Sequence, residues 1–198
     1  MKNLHCLLLA AGQASRFGQP KQLASINDAG ESLIQNALNN LPIEIPTTLI
    51  LGAHHQVIQQ SLLQHEVLVE SIVINPQWQD GLSSSIAYGV EGLNKNVDGV
   101  LIALADQIAL NVDDYRKLIN GWEKQPELIA CSSYSGQQGV PAIFPQKYFS
   151  QLLALTGDSG AKALIRQNSD VYSVELQNAA IDIDTQEQLA QFHRRQTM

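Results

Sequence analysis

"LHCLLLAAGQASRFGQPKQL", residues 4–23, contains the turn on which the fold reading depends. Its first eight residues are almost unbroken apolar, as in a strand buried on both faces of a parallel sheet. The run stops at Ala11 and Gly12. Two cations, Arg16 and Lys21, follow in a loop of small residues. Glycine lets the backbone turn tightly and lets a ligand approach its amides, and successive amides make an anion nest. Arginine adds a planar fork for phosphate oxygens, and lysine adds a mobile point charge. Together these suit a triphosphate. A solvated loop with incidental cations has the same composition.

The rest of the chain alternates between strand-like and helix-like stretches. Strands are expected at 47–52, 70–75, 99–106, 127–133, within "GVPAIFP" (139–145) and at 170–176. Helical apolar spacing marks 31–41, 54–64, 82–93, 112–124, "QKYFSQLLAL" (146–155), "AKALIRQ" (161–167) and 185–195. Asn111 or Asp113 is expected to cap the fourth helix and Thr185 the last. "AAIDID" (179–184) reads as short and extended. This order predicts an α/β fold, an open, mostly parallel sheet with helices on both faces. Ligands of such sheets sit beyond the carboxyl ends of strands. That rule singles out Gly12 to Lys21, Gly81 to Ser85, and Asp106.

The chain has 198 residues, 44% hydrophobic and 16% charged, with a formal charge of -7. The acidic balance argues against a general nucleic-acid binder, yet local cations can still hold a small anion. Cys6 and Cys131 stand in apolar surroundings without metal-ligand spacing and are expected reduced and buried. The first apolar run is too short to span a bilayer and lacks a cleavage site, so a cytoplasmic protein without membrane contact is expected. The P-loop spacing G-x-x-x-x-G-K-[ST] and the dinucleotide pattern G-x-G-x-x-G are both absent.

"LAAGQASRFGQPKQL" resembles the nucleotide loop of the nucleotidyltransferase superfamily, L-A-A-G-x-[SG]-x-R-[FM]-G-x-x-K. "NPQWQDGLSSSIAYGV", "LADQ", "GVPAIF", "LTGDSGAKALI" and "DIDTQEQL" follow in the order of the MobA-like branch of molybdenum cofactor cytidylyltransferases. The resemblance runs from residue 7 to about 189. It implies a three-layer Rossmann-like fold, Mg²⁺, and transfer of CMP from CTP to the terminal phosphate of molybdopterin, with release of pyrophosphate. It implies one domain over 1–198, with 1–110 mainly for the nucleotide and 111–198 mainly for the acceptor. A molybdoenzyme or its chaperone is the implied protein partner. "LAAG", where guanylyl relatives have "LAGG", leans toward CTP over GTP. Another phosphorylated acceptor, or a non-catalytic maturation protein for a molybdoenzyme, are the competing readings.

Carried over by position, Leu9, Ala10, Ala11, Gly12 and Ser15 contact the nucleotide, while Arg16 and Lys21 hold the triphosphate and act catalytically. Asp106, at the end of its strand, is placed for both nucleotide and Mg²⁺, a hard cation satisfied by one or two carboxylates. The family's "DQP" is "DQI" here, which loses a stiffening proline. Alternation puts Asp182 and Asp184 on one strand face. Asp182 is the favoured second metal ligand, and Asp184 a turn or cap residue on the acceptor side. Gly81, Ser83 and Ser84 serve the base or ribose, or the serines cap their helix. Asp158 and Lys162, at a helix start that welcomes an anion, fall on the acceptor side. His54 and His55 are adjacent and do not share a helix face as a metal pair would. Trp78, Tyr88 and Trp122 are read as packing residues, and His193, Arg194 and Arg195 as cations suited to a helix end.

Overall fold

The computed structural model describes residues 2–65, 67 and 69–196, without the side chains of Arg195 and Gln196, so the last of the three terminal cations lies outside the described set. Among the described residues seven strands form one sheet: β1 (Leu4–Ala10), β2 (Thr47–Leu51), β3 (Ser71–Ile74), β4 (Gly99–Leu104), β5 (Ile129–Tyr134), β6 (Gln137–Pro145) and β7 (Val171–Glu175). Their order is β3-β2-β1-β4-β6-β5-β7. β6 alone runs against its neighbours, antiparallel to β4 and to β5, and the other pairs are parallel. The sheet is therefore open and mostly parallel, as the sequence implies.

The helices are α1 (Leu33–Asn39), α2 (His55–Gln64), α3 (Leu82–Glu91), α4 (Val112–Lys124), α5 (Phe149–Leu153), α6 (Gly160–Gln167) and α7 (Gln186–Gln196). Side chains of β1 alternate between two cores. Cys6, Leu8 and Ala10 meet residues of α1, α2 and α4 on one face. Leu7 and Leu9 meet α3, α5 and α6 on the other. Period-two alternation on a strand covered twice thus produces a near-continuous apolar run and three layers. Both cysteines are free and fully buried, and burial pushes the Cys6 thiol up to about 12.

Caps fix several helix starts. Ser32 and Gln35 form a capping box on α1, and Asn111, rather than Asp113, forms one with Asp114 on α4. Thr185 Oγ1 accepts from Gln188 N at 3.2 Å, so the expected cap of α7 is present. Trp122 is buried and packs against Gly99, whereas Tyr88 is 38% exposed.

Two expectations fail. Residues 146–155 are a 3₁₀ turn (Gln146–Tyr148) followed by the short α5, not one continuous helix. Residues 179–184 are not a strand: a 3₁₀ turn over Gln177–Ala180 leads into irregular backbone. The reason is positional. This segment crosses the carboxyl ends of the strands, where Ile183 N donates to Asp106 O at 3.0 Å, so it does not extend an edge of the sheet. Among the described residues no helix is long and apolar enough to cross a membrane.

Candidate active site

The loop after β1 is shaped by turns that Gly18 and Pro20 announce and by one left-handed residue, Ala14, that the sequence does not. A 3₁₀ turn over Ser15–Phe17 is bracketed by Ala14 (φ 55°) and Gly18 (φ 77°), both left-handed. Left-handed backbone strains a residue carrying a Cβ, so Ala14 is the costly position. Phe17, 2% exposed, plugs this turn into the core. A second 3₁₀ turn, Lys21–Leu23, follows Pro20. The space in front of Gly12 is open: a Cβ there would meet nothing within 4 Å.

Lys21 is the centre of the cluster. Its ammonium donates to Asp106 Oδ2 at 2.8 Å, to Asp184 Oδ1 at 3.0 Å and to Ile183 O at 3.0 Å. Arg16 donates to the other oxygen of Asp184, also at 3.0 Å. Lys21 is largely covered, with 13% of its side chain exposed, whereas Arg16 reaches into solvent with 73% exposed. Burial works against the Lys21 charge, but Asp106 and Asp184 outweigh it and hold its pKa above the ordinary value. Burial likewise disfavours a charged Asp184, and Lys21 and Arg16 outweigh it to hold that carboxyl below its ordinary value. Both groups are therefore charged at neutral pH.

Two adjacent cavities meet at this cluster. The first, about 390 Å³, is walled by Ala10 to Arg16, Lys21, Trp78, Gly81 and Ser85, with Leu9 and Gln22 beneath. The second, about 410 Å³, is lined by Ile86, Gln107, Tyr134, Val140, Lys162 and Asp182 among others. Asp106, Asp158 and Asp184 belong to both walls. A larger cavity of about 980 Å³ lies at the amino ends of β2 and β3, near Thr47, His65 and Glu70. It is on the wrong end of a parallel sheet for a ligand site of this kind.

The expected residues divide accordingly. Leu9, Ala10, Ala11, Gly12, Ser15, Arg16, Lys21, Gly81 and Asp106 converge on the first cavity. Lys162 and Asp182 face the second, and Asp158 faces both. Ser83 and Ser84 stand off from the cavities. Ser83 is fully buried, and Ser84 Oγ lies 2.8 Å from both Gln77 O and Gly81 O, either of which can take its one hydrogen, while accepting from Asn75. Ser85 takes their place in the wall. Asp182 and Asp184 also part company. Asp184 meets the two cations, whereas Asp182 stands by Tyr134, whose phenol is pushed up by burial and by the Asp182 charge. Trp78, read as a packing residue, lines the first cavity. His55 is occupied at Nδ1, 3.1 Å from Gly52 O.

Sequence reasoning missed Gln22 and Tyr134, and gave no role of their own to Ser85, which ends the Gly81–Ser85 stretch, or to Gln107, which belongs to the quoted "LADQ". Gln22 and Gln107 each follow a charged residue already singled out.

The donor set fits a hard divalent cation. Asp106 Oδ1 is buried without a partner among the described residues, and the Asp184 carboxylate lies across the same ammonium. Among the described residues no three His, Cys, Asp or Glu side chains group to hold a metal by themselves. Two carboxylates completed by phosphate and water oxygens are the usual protein share for Mg²⁺.

An open α/β sheet with a cation–carboxylate cluster beyond its central strands, at the junction of two cavities, is a site built for an anionic ligand. The chain belongs to the family of the MobA-like NTP transferase domain, whose model matches residues 6–171. It is 26% identical over 191 residues to the molybdenum cofactor cytidylyltransferase of Escherichia coli K12, covering 93% of each chain. It is 31% identical over 115 residues to the purine catabolism protein PucB of Bacillus subtilis, covering 56% of this chain and 55% of that one. In fold it matches Rv0371c of Mycobacterium tuberculosis, solved as a complex with manganese, with a TM-score of 0.74, 18% identity and 98% of each chain covered.

Proposed function

We propose that this protein transfers CMP from CTP to the terminal phosphate of molybdopterin and releases pyrophosphate. The observation that carries the reading is the pairing of Lys21, in the wall of the first cavity, with Asp106 and Asp184, which line both cavities. Nucleotidyl transfer joins two anions, so positioning and charge neutralisation dominate the chemistry asked of the protein. The name of the relative from Escherichia coli supplies the acceptor and the base.

In this reading residues 1–110 mainly serve the nucleotide and 111–198 mainly the acceptor. CTP lies in the first cavity, its triphosphate against the backbone of Ala11 to Ser15. Arg16 and Lys21 exchange carboxylate partners for phosphate oxygens and stabilise the charge gathering on pyrophosphate. The exposed Arg16 moves for little cost, since exposed ion pairs contribute little. Trp78, Gly81 and Ser85 border the base and ribose. The acceptor enters the second cavity, with Lys162 toward its charge and Asp158 and Asp182 at its rim. Asp106 and Asp184 are the residues that would hold Mg²⁺, which would supply neutralisation of phosphate charge there. Asp184 is preferred to Asp182 because it shares Lys21 with Asp106.

A nucleotide panel with Mg²⁺ and purified molybdopterin, following pyrophosphate and modified pterin together, tests this. Pyrophosphate and cytidylylated pterin with CTP are expected. Product with GTP alone would make it a guanylyltransferase. Turnover only with another phosphorylated acceptor would move it to a different branch of the fold. Nucleotide binding without any release would make it a maturation protein.

A further inference from the structure

Two buried glutamines flank the proposed site, and each follows a charged residue of the cluster: Lys21–Gln22 and Asp106–Gln107. Gln22 is 2% exposed and its Nε2 donates to Ala10 O and Gly12 O, both at 3.0 Å. Gln107 is 7% exposed and its Nε2 donates to Val140 O at 2.8 Å and to Ala179 O at 2.9 Å. The pattern repeats: one amide group holds two backbone carbonyls, neighbours in one loop for Gln22 and far apart in the chain for Gln107. In each the carbonyl oxygen, Oε1, is buried and has no partner among the described residues. A buried acceptor without a partner is costly, and a leucine or methionine of similar volume would avoid that cost. The two N–H donations are therefore what these positions supply.

What they hold differs. Ala10 and Gly12 flank Ala11 in the wall of the first cavity, so Gln22 sets the path of the backbone that faces the triphosphate. Val140 and Ala179 both line the second cavity, as does Gln107, which bonds to the two of them. The segment after Ala179 has no strand ladder to locate it. Near its far end it is tied by Ile183 N to Asp106 O and by Lys21 to Ile183 O. At its near end Gln107 bonds Ala179 O, three residues before Asp182, beside the bond from Asn178 Nδ2 to Asp114 Oδ2 at 2.9 Å. Irregular backbone owes its position to such individual bonds.

We propose that Gln22 and Gln107 are positioning residues with divided labour: Gln22 shapes the nucleotide side, and Gln107 the acceptor side. The proposal rests on the assignment of the two cavities made above. It is tested with Gln22→Met and Gln107→Met, and with the Leu variants where a Met variant melts before assay. CTP affinity is measured by titration calorimetry with Mg²⁺, the KM for molybdopterin by pyrophosphate release, and local order by hydrogen–deuterium exchange. Gln22→Met should weaken CTP binding on the order of tenfold and leave the molybdopterin KM within about threefold. Gln107→Met should do the reverse, and should speed exchange in 177–183 without changing it in 10–17. A structural contribution alone would lower the melting temperature and move both substrates together. Parallel changes in both variants, no change in either, or failure of both Met and Leu variants to fold would overturn the proposal. Should the wild-type protein fail to modify molybdopterin, the functional reading falls, and the exchange patterns of the two variants still decide which wall each glutamine holds.

Discussion

The loop after β1 and the segment before α7 grip the same ion-pair cluster from opposite sides, yet they are built on different principles. The loop carries its own instructions. Gly18 and Pro20 set its turns, Phe17 anchors it in the core, and its cations stand at fixed places along it. The segment 177–184 has almost none of this. Ile183 is buried and Asp182 is exposed, so the alternation seen in the sequence is real, but it distributes side chains on irregular backbone. Alternation reports which residues face the core; it does not by itself report a strand.

The largest effect that can break this comparison lies at Lys21, which touches both regions. Lys21→Ala removes the cation that, among the described residues, joins Asp106 to Asp184. Turnover should fall on the order of 10²- to 10³-fold. Arg16→Ala removes an exposed partner of Asp184 alone, and its loss should be nearer tenfold, the weight of one charge-assisted hydrogen bond. Steady-state rates at saturating CTP check both. Equal losses would show that the loop acts as an undivided unit and that burial of the lysine is irrelevant.

The second test separates the two aspartates. Asp184→Asn should weaken binding of Mg²⁺ with CTP about tenfold or more, because Asp184 stands with Asp106 at the cation. Asp182→Asn should leave that binding within about threefold and raise the acceptor KM instead. Titration of each variant with metal and nucleotide reads the difference. The reverse result would place Asp182 at the metal and overturn the assignment of Asp184.

The third test concerns how the loop after β1 is braced by its neighbours. Gly52 has no room for a side chain: a Cβ there would come within 2.7 Å of Ala11 O and of Trp78 Cγ. Ala11 and Trp78 both line the first cavity. Gly52→Ala should destabilise the fold by about 1–3 kcal/mol, the usual cost of overpacking, and weaken CTP binding as well. Chemical denaturation and nucleotide titration on one preparation measure both. A stable variant with weakened binding would show that the wall yields locally instead of straining the sheet.

The sheet was legible because residues buried on both faces announce themselves as apolar runs, and residues 99–104 read as clearly as β1. The loop was legible because its cations and glycines keep motif spacing. Ser83, Ser84 and Ser85 were not distinguishable, since three successive hydroxyls differ only in where the first turn of α3 points them. Asn75 and the carbonyls of Gln77 and Gly81 claim Ser84, and that depends on a loop conformation that sequence spacing does not encode. Gly81 shows the same limit. Its φ of +95° and its contact with Gly157 and Asp158 dock the nucleotide-side loop on the acceptor-side turn, a pairing of positions far apart in the chain.

The smallest predicted effect lies away from the cluster and serves as its control. His5 Nε2 is 2.9 Å from Thr48 Oγ1, which is 2.7 Å from Ser71 Oγ, a polar ladder across β1, β2 and β3. Burial lowers the His5 pKa, and Glu70 offsets only part of that. The folded state therefore favours the neutral ring, and the unfolded chain binds the proton more readily. Stability from this site is complete above the unfolded value of about 6.5 and is lost as pH falls through it toward the lower folded value. Urea denaturation between pH 7.5 and 5.0 should show this as a shallow fall in the native protein that is flatter in His5→Gln. CTP affinity at neutral pH should be the same in both, since the ladder lies at the amino ends of the strands. A His5 variant that lost nucleotide binding would join the two ends of the sheet and undo the separation argued for the site.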